Sequence, residues 1–453
     1  MLNFKFWRQD LRASLTVFLI ALPLCLGIAL ASHTSLASGF IAGIIGGIFV
    51  GTLTGSSLSV SGPAAALAVV VVSSLMSLGS IEAFALAVMI SGFIQILLGV
   101  LKLGSFADFF PAAVVKGMLA ALGLVIILNQ IPAALMSWPL SLVTLLVIIL
   151  WERFTKKSLL RHLPGPFLGV IVAMILAPFL ELNSSLFVGT PSWELISPDL
   201  HQWKNPAVYI WGFTFTLVGS LLTMMSIETA DRLDPLSRIA NKNRELLVQG
   251  AANLLSGFFC GLPVTAVYVR TSANHDAGGR TNLSSILHGL WLLLSLAFIG
   301  RYFTLIPIPA LAVVLIVVGY KLNRPSLYRS SYQLGMTQFV PFIVTIIAIL
   351  YLGALMGISL GFIIGLIFIV RANLRKCMTL VSEEENYLLR FYKDVSFVHK
   401  KELKALLSKV PSGSYLIIDR IPGVYLDEDV EEVLRDYTER ALSRKITVEL
   451  VRK

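Results

Sequence analysis

Two short runs hold the residues whose types and spacing could do chemistry. That chemistry is the non-covalent holding of an anion. The first run reads Gly51-Thr-Leu-Thr-Gly55-Ser-Ser-Leu-Ser-Val-Ser61-Gly62-Pro63-Ala64-Ala65-Ala66, uncharged and set between long apolar segments. Proline is tolerated in the first turn of a helix, so the text predicts an extended piece, then a short apolar helix from about Gly62. A bilayer span needs about 20 residues, so this helix begins inside the membrane. A helix start offers free N–H groups and a partial positive charge, which together favour an anion. The second run, Gly257-Phe-Phe-Cys-Gly261-Leu-Pro-Val-Thr-Ala-Val-Tyr268-Val269-Arg270-Thr271, overlays the first without a gap. Gly51 falls on Gly257, Gly55 on Gly261 and Ala64 on Arg270. Again an extended piece precedes a short helix, here 268–274. Paired, interrupted segments in two halves of a chain point to a carrier's binding site.

The rest of the chain must position these runs in a membrane. Of 453 residues, 56% are hydrophobic and only 14% charged, with a mean hydropathy of +0.81. A soluble domain carries nearer a quarter charged residues, so this is an α-helical polytopic membrane protein. The net charge of +10 does not imply nucleic acid, because the positives are scattered between apolar runs. Cys25, Cys260 and Cys377 lie far apart, without disulfide or metal spacing, and the six histidines show no metal pattern either. No nucleophile–base constellation or phosphate loop is present. Neither an enzyme, a cofactor nor a metal is expected.

Apolar segments fall at about 15–31, 38–53, 62–78, 83–101, 109–128, 140–151 and 166–180, then at 207–230, 246–262, 268–274, 283–299, 308–320, 339–352 and 357–370. An Ala29-Leu30-Ala31 match to a signal-peptidase site is discounted, because the run is long and heads many further spans. The N-terminal Lys5, Arg8 and Arg12 share one side with Lys102, Arg153, Lys156, Lys157, Arg161, the basic 231–245 loop, Lys321, Arg324, Arg329, Arg371, Arg375 and Lys376. The long 181–206 loop carries Glu181, Glu194 and Asp199 on the other. The positive-inside rule then gives about 14 segments with both termini cytoplasmic. An odd number per half inverts the second half, so the two short helices point their N-termini at each other near the midplane. From about 374 strands alternate with amphipathic helices, which reads as a small cytoplasmic α/β domain.

The pieces Leu22-Pro23-Leu24, Ser59-Val-Ser61-Gly62-Pro63, Asn243-Arg-Glu-Leu246 with Gln249-Gly250, Gly261-Leu-Pro263 and Ala277-Gly-Gly-Arg280-Thr281 resemble the SulP family of anion transporters, and the tail resembles its STAS domain. The resemblance implies a multi-pass inner-membrane protein of 7+7 inverted repeats, with core and gate domains moving as an elevator. It implies a transmembrane domain over 1–373, with repeats of about 1–206 and 207–373, and a STAS-like domain over 374–453. It also implies a homodimer and a small inorganic anion, bicarbonate or sulfate. The 231–235 stretch and the short tail look most like bacterial members found beside or fused to carbonic anhydrases, a resemblance that implies bicarbonate and such an enzyme as partner.

Carried over by motif, the anion site consists of Ala64, Ala65 and Ala66 on one side and Tyr268, Val269 and Arg270 on the other, with Leu24 and Ile28 as a wall. Small side chains let an ion approach the backbone; the plainer alternative is helix packing by small residues. Arg270 is an ionisable group within the membrane, expected to add positive potential, or else to pair with a carbonyl or headgroup. Where many bacterial members resemble one another in carrying a coupling carboxylate, this chain has Leu222, beside Thr223. Glu228 lies about 9 Å further along the helix on another face. Ordinary Na⁺ or H⁺ symport is therefore not expected; uniport, exchange and coupling through another acid stay open. Leu24 replaces a glutamine of some relatives, and Lys116 reads as a snorkelling lysine. The tail loop Asp419-Arg-Ile-Pro-Gly423 lacks the serine that some STAS domains phosphorylate. The rival readings are a dicarboxylate or other anion exchanger on the same fold, and an anion channel or partner-recruiting membrane scaffold.

Overall fold

The structure is a computed structural model that describes residues 4–154, 163–189, 198–373, 377–383, 386–396, 399–420 and 424–452. Lys156, Lys157, Arg161, Glu194, Arg375, Lys376 and the 421–423 part of the tail loop lie outside the described residues. Contacts divide the chain into Met1–Gly365 and Leu366–Lys453.

The first unit opens with α1 (Trp7–Ala31) and α2 (Leu36–Leu53), whose middle, Ile45–Val50, is π-helical. Then come β1 (Ser61–Pro63), α3 (Ala65–Leu78), α4 (Ile81–Val100), α5 (Ala112–Leu135), α6 (Trp138–Phe154) and α7 (Gly165–Leu176). The order repeats with α8 (Pro206–Leu233), α9 (Lys242–Phe258), β2 (Val264–Ala266), α10 (Tyr268–Asp276), α11 (Leu283–Ile299), α12 (Ile308–Leu322), α13 (Pro325–Gln333), α14 (Met336–Leu352) and α15 (Ala354–Asn373). Among the described residues, eight helices are long and apolar enough to cross a membrane, and three further apolar ones are shorter.

Four α-helix starts here carry a capping side chain. Ser35, Ser80, Asn205 and Asn241 each accept a hydrogen bond from the first turn that follows, and Pro206 sits where a missing N–H costs nothing. Asn241 is why α9 starts at Lys242, earlier than hydropathy alone implies. The starts of α3 and α10 carry no side-chain cap, like those of α5, α7, α11 and α12, but each directly follows a strand, β1 or β2.

The structure corrects the sequence reading at the first of these starts, while α10 begins at Tyr268 as expected. Ser61, Gly62 and Pro63 belong to β1, which pairs antiparallel with β2 in the register Ser61↔Ala266, Gly62↔Thr265, Pro63↔Val264. Helix α3 therefore begins at Ala65, not at Gly62. The helix starts are 203 residues apart (268 − 65), whereas the overlaid glycines are 206 apart (257 − 51). The gapless overlay thus slips by three residues, and Arg270 is the counterpart of Leu67, not of Ala64.

Glycine–glycine crossings display the internal repeat. A Cβ on Gly92 of α4 would lie 2.5 Å from the Gly250 carbonyl oxygen of α9, and the contact is reciprocal. The same crossing recurs between α11 and α2, where a Cβ on Gly47 would lie 2.5 Å from Gly289 Cα. Side chains at these points would drive the helices apart, and small residues are the usual means of close packing in membranes.

The second unit has a four-stranded sheet in the order β3 (Met378–Glu383), β4 (Asn386–Phe391), β5 (Tyr415–Arg420), β6 (Thr447–Arg452). β3 and β4 are antiparallel and the other pairs parallel. With α16 (Lys400–Leu407) and α17 (Glu428–Ala441), the sheet encloses a core of Leu389, Phe391, Leu403, Leu416, Ile418 and Val430. The sequence reading did not anticipate β3.

Candidate anion-binding cavity

Because β1 and β2 are antiparallel, the helices that continue them leave in opposite directions. The Val267 N–H donates to the Val60 carbonyl at 2.9 Å and closes the strand pair. The first helical turns are sealed by Leu67 N–H on the Ala64 carbonyl (3.0 Å) and Thr271 N–H on the Val267 carbonyl (2.9 Å). The N–H groups of Ala65 and Ala66, and of Tyr268 and Val269, come before any helical acceptor. With no capping side chain at either start, these donors and two positive dipole ends remain available.

Both starts border one cavity of about 300 Å³. Leu24, Ile28, Ala64, Ala65, Ala66, Tyr268 and Val269 all line it, as does Leu222. Met225, Ser226 and Thr229 of α8 complete that side. The facing wall comes from Leu119, Val318, Lys321, Leu322, Arg324 and Leu327, which the sequence reading either missed or used only for topology. Through Val269 and Lys321 the cavity adjoins a wider one of about 620 Å³, bordered by Glu152, His275 and Asp276. Behind Ala65 there is a void of only about 10 Å³, against Ala31, Ile126 and Leu315.

Arg270 departs from the expectation. Its side chain is fully buried yet does not line the cavity. As the third residue of α10 it points about 200° away from Tyr268 around the helix. It lies behind the strand pair, with Nη2 3.4 Å from Cys25 Sγ and 3.5 Å from the Pro63 carbonyl oxygen, and Nη1 against Gly62. Among the described residues Nε and Nη1 find no hydrogen-bond partner, and no carboxylate pairs with the guanidinium.

The other singled-out residues sort cleanly. Thr223 faces the strands, its hydroxyl accepting from Ala266 N–H at 3.3 Å. Glu228 is engaged by Lys242 at 3.2 Å, away from the cavity lining. Lys116 is half-buried on α5 and outside the lining.

A polar stripe that the sequence reading did not assign holds the strands. Glu245, Gln249 and Asn253 recur every four residues on one face of α9 and are all buried. Glu245 accepts from the Thr54 hydroxyl (2.6 Å), Gly55 N–H (3.0 Å) and Gln249 Nε2 (2.9 Å). Gln249 Nε2 also donates to Ser61 Oγ at 2.7 Å, and Asn253 Oδ1 accepts from Val264 N–H at 2.7 Å. One helix thus grips both β1 and β2. At the far end of α10, Asp10 accepts from Arg280 N–H, Thr281 N–H and the Thr281 hydroxyl at 2.7, 3.0 and 2.6 Å. Nearby, Arg238 donates to both Asp234 oxygens and to the Arg280 carbonyl. Burial raises the Asp234 carboxyl pKa, but the Arg238 and Leu236 donors outweigh it and hold the group below the usual range.

Such an arrangement, two facing uncapped half-helices over one cavity in an inverted-repeat membrane fold, defines a class of carrier for anions. The sequence matches the sulfate permease family over residues 7–137 and 133–348. The chain belongs to that family, and its general function is secondary anion transport, not catalysis. It is similar to the putative sulfate transporter YbaR of Bacillus subtilis (strain 168), 26% identical over 95% of this chain and 88% of that one. Its fold is similar to the transmembrane domain of a cyanobacterium bicarbonate transporter BicA, with a TM-score of 0.68 at 21% identity, covering 81% of this chain and 98% of that one. It is also similar to the murine Solute Carrier 26 family member A9 anion transporter in the inward-facing state, with a TM-score of 0.83 at 15% identity, covering 100% and 87%.

Proposed function

We propose that the cavity carries a small monovalent oxyanion, bicarbonate foremost, held by the N–H groups of Ala65, Ala66, Tyr268 and Val269. The observation that carries this is the pair of uncapped helix starts on one cavity. Arg270 acts through its field from behind the strands and not by touching the ion. Leu24, Ile28, Leu222 and Met225 make the walls largely apolar. Desolvation of a dianion costs far more than that of a monovalent ion in such a place, which favours bicarbonate over sulfate. The small alanines let the ion reach the backbone.

The proposed architecture is 14 segments as 7+7 repeats. A core, α1–α4 with α8–α11, slides as an elevator against a gate, α5–α7 with α12, α14 and α15. The transmembrane domain covers 1–373 and a cytoplasmic STAS-like domain 374–453, with both termini inside and a homodimer as the working unit. A carbonic anhydrase is a fitting partner for a bicarbonate carrier. With Leu222 in the cavity and no acid among its described lining residues, flux is uncoupled or exchanging. A dicarboxylate is the second reading, favoured by the volume of about 300 Å³, which exceeds what one small oxyanion fills.

Uptake into proteoliposomes tests this, using labelled bicarbonate, sulfate and succinate, with and without Na⁺ and pH gradients. Bicarbonate uptake without a cation gradient is expected, and Leu222→Glu is expected to slow it. Uptake that demands Na⁺ or H⁺ would overturn the uncoupled reading. Preference for succinate would move the assignment to dicarboxylates, and no uptake of any anion would end the transport reading.

A further inference from the structure

The two cations on the cavity's facing wall are not alike. Lys321 Nζ lies 2.7 Å from Glu152 Oε1, so its charge is largely neutralised. Arg324 also lines the cavity and is exposed, and among the described residues no ion pair engages it. It stands at the N-cap of α13 without making a cap bond. A cation there faces the positive end of the helix dipole, so it does nothing for the helix. Resting on the transport reading above, we infer that Arg324 gathers the anion at the cavity mouth and sets its apparent affinity, while Glu152 keeps Lys321 from doing the same.

The physics is that of a charged cleft. Low-dielectric walls focus the field of a charge at the mouth and raise the local concentration of counter-ion. Leu119, Val318 and Leu327 supply such walls around Arg324. A guanidinium also offers a planar fork of donors, which suits a planar oxyanion better than an ammonium does. Glu152, Lys321 and Arg324 together leave one net positive charge at the mouth. The charge balance, more than the particular side chain, should set the affinity.

The test uses the full chain in proteoliposomes with labelled bicarbonate as the probe. Apparent KM is measured at about 0.01 M and about 0.1 M ionic strength, where the screening length falls from about 30 to about 10 Å. Arg324→Gln should raise KM about 3- to 10-fold at the lower ionic strength, with the difference shrinking at the higher. Glu152→Gln should lower KM. The double variant Arg324→Gln/Glu152→Gln restores the net charge and should return KM to within about 2-fold of wild type. Arg329→Gln, an exposed cation on α13 outside the lining, should leave KM unchanged. The inference falls if Arg324→Gln leaves KM unmoved at low salt, if the double variant is no better than Arg324→Gln, or if Arg329→Gln has the same effect. A wild type that moves no bicarbonate at either ionic strength overturns the bicarbonate reading itself, a result distinct from these three.

Discussion

Glu245 and Arg270 are both fully buried, both charged and both close to the paired strands, yet their surroundings are opposite. Glu245 accepts three hydrogen bonds, from Thr54, Gly55 and Gln249. Arg270 has two contacts at 3.4 and 3.5 Å, one of them to a thiol, and leaves two nitrogens without partners. A buried charge is tolerated when donors or acceptors saturate it, and is costly otherwise. The carboxylate is thus part of the scaffold that fixes the strand pair. The guanidinium stabilises nothing locally that repays its burial. In the proposed mechanism its uncompensated field, added to two helix dipoles, draws an anion to the cavity.

The contrast breaks most visibly in substitutions. Arg270→Gln should cut uptake about 30- to 100-fold, the scale of a change of about 2–3 kcal/mol in anion stabilisation, while the thermal midpoint holds or rises. Uptake and melting of the same purified sample check it; a large fall in melting with proportional loss of uptake would make Arg270 a scaffold residue like Glu245. Glu245→Gln should do the reverse. Its new NH₂ group faces donors, and the fold should lose about 3 kcal/mol, read as a lowered melting temperature and yield. Uptake per folded molecule should remain within about 3-fold of wild type.

The smallest effect sharpens the boundary of the scaffold. Asp234→Asn should cost about 1 kcal/mol at neutral pH, since it weakens the Arg238 clamp on the loop beyond α8. The folded-state pKa of Asp234 is depressed, so its contribution is present above the ordinary carboxyl value. That contribution fades as pH falls through the depressed one. Melting of wild type and variant across pH should therefore converge only in strong acid. A gap that stays constant with pH would mean that the clamp is not ionic.

What was legible in the sequence follows the same physics. Short, Gly- and Pro-marked segments cannot span a bilayer, so the two half-helices and their common meeting point were readable from Gly62-Pro63 and Gly261-Leu-Pro263. Leu24, Ile28, Ala64, Ala65, Ala66, Tyr268 and Val269 do meet around one cavity. The direction of Arg270 was not readable. The overlay set it opposite Ala64, which lines the cavity, and the three-residue slip that undoes this match appears only when β1 pairs with β2. Arg324 was counted as a topology charge because its place on the cavity wall depends on how α12 and α13 pack, which hydropathy does not encode. The Glu245, Gln249, Asn253 stripe was visible as a four-residue period but went unassigned, since its partners lie far away in the chain. Strand β3 was hidden by its position beside the acidic 383–385 run.

In the proposed function backbone N–H groups hold the ion, and proline removes such a group. Ala65 is the first residue of α3, where proline fits the helix, and Ala64 before it is already extended at φ −99°, ψ 129°. Ala65→Pro therefore deletes one donor with the helix intact, and Ala65→Val keeps the donor with similar bulk. Apparent KM for the carried anion should be about 10-fold or more higher in Ala65→Pro than in Ala65→Val, as loss of one hydrogen bond to a charged group requires. Equal KM in the two variants would contradict the account and place the anion's contacts elsewhere.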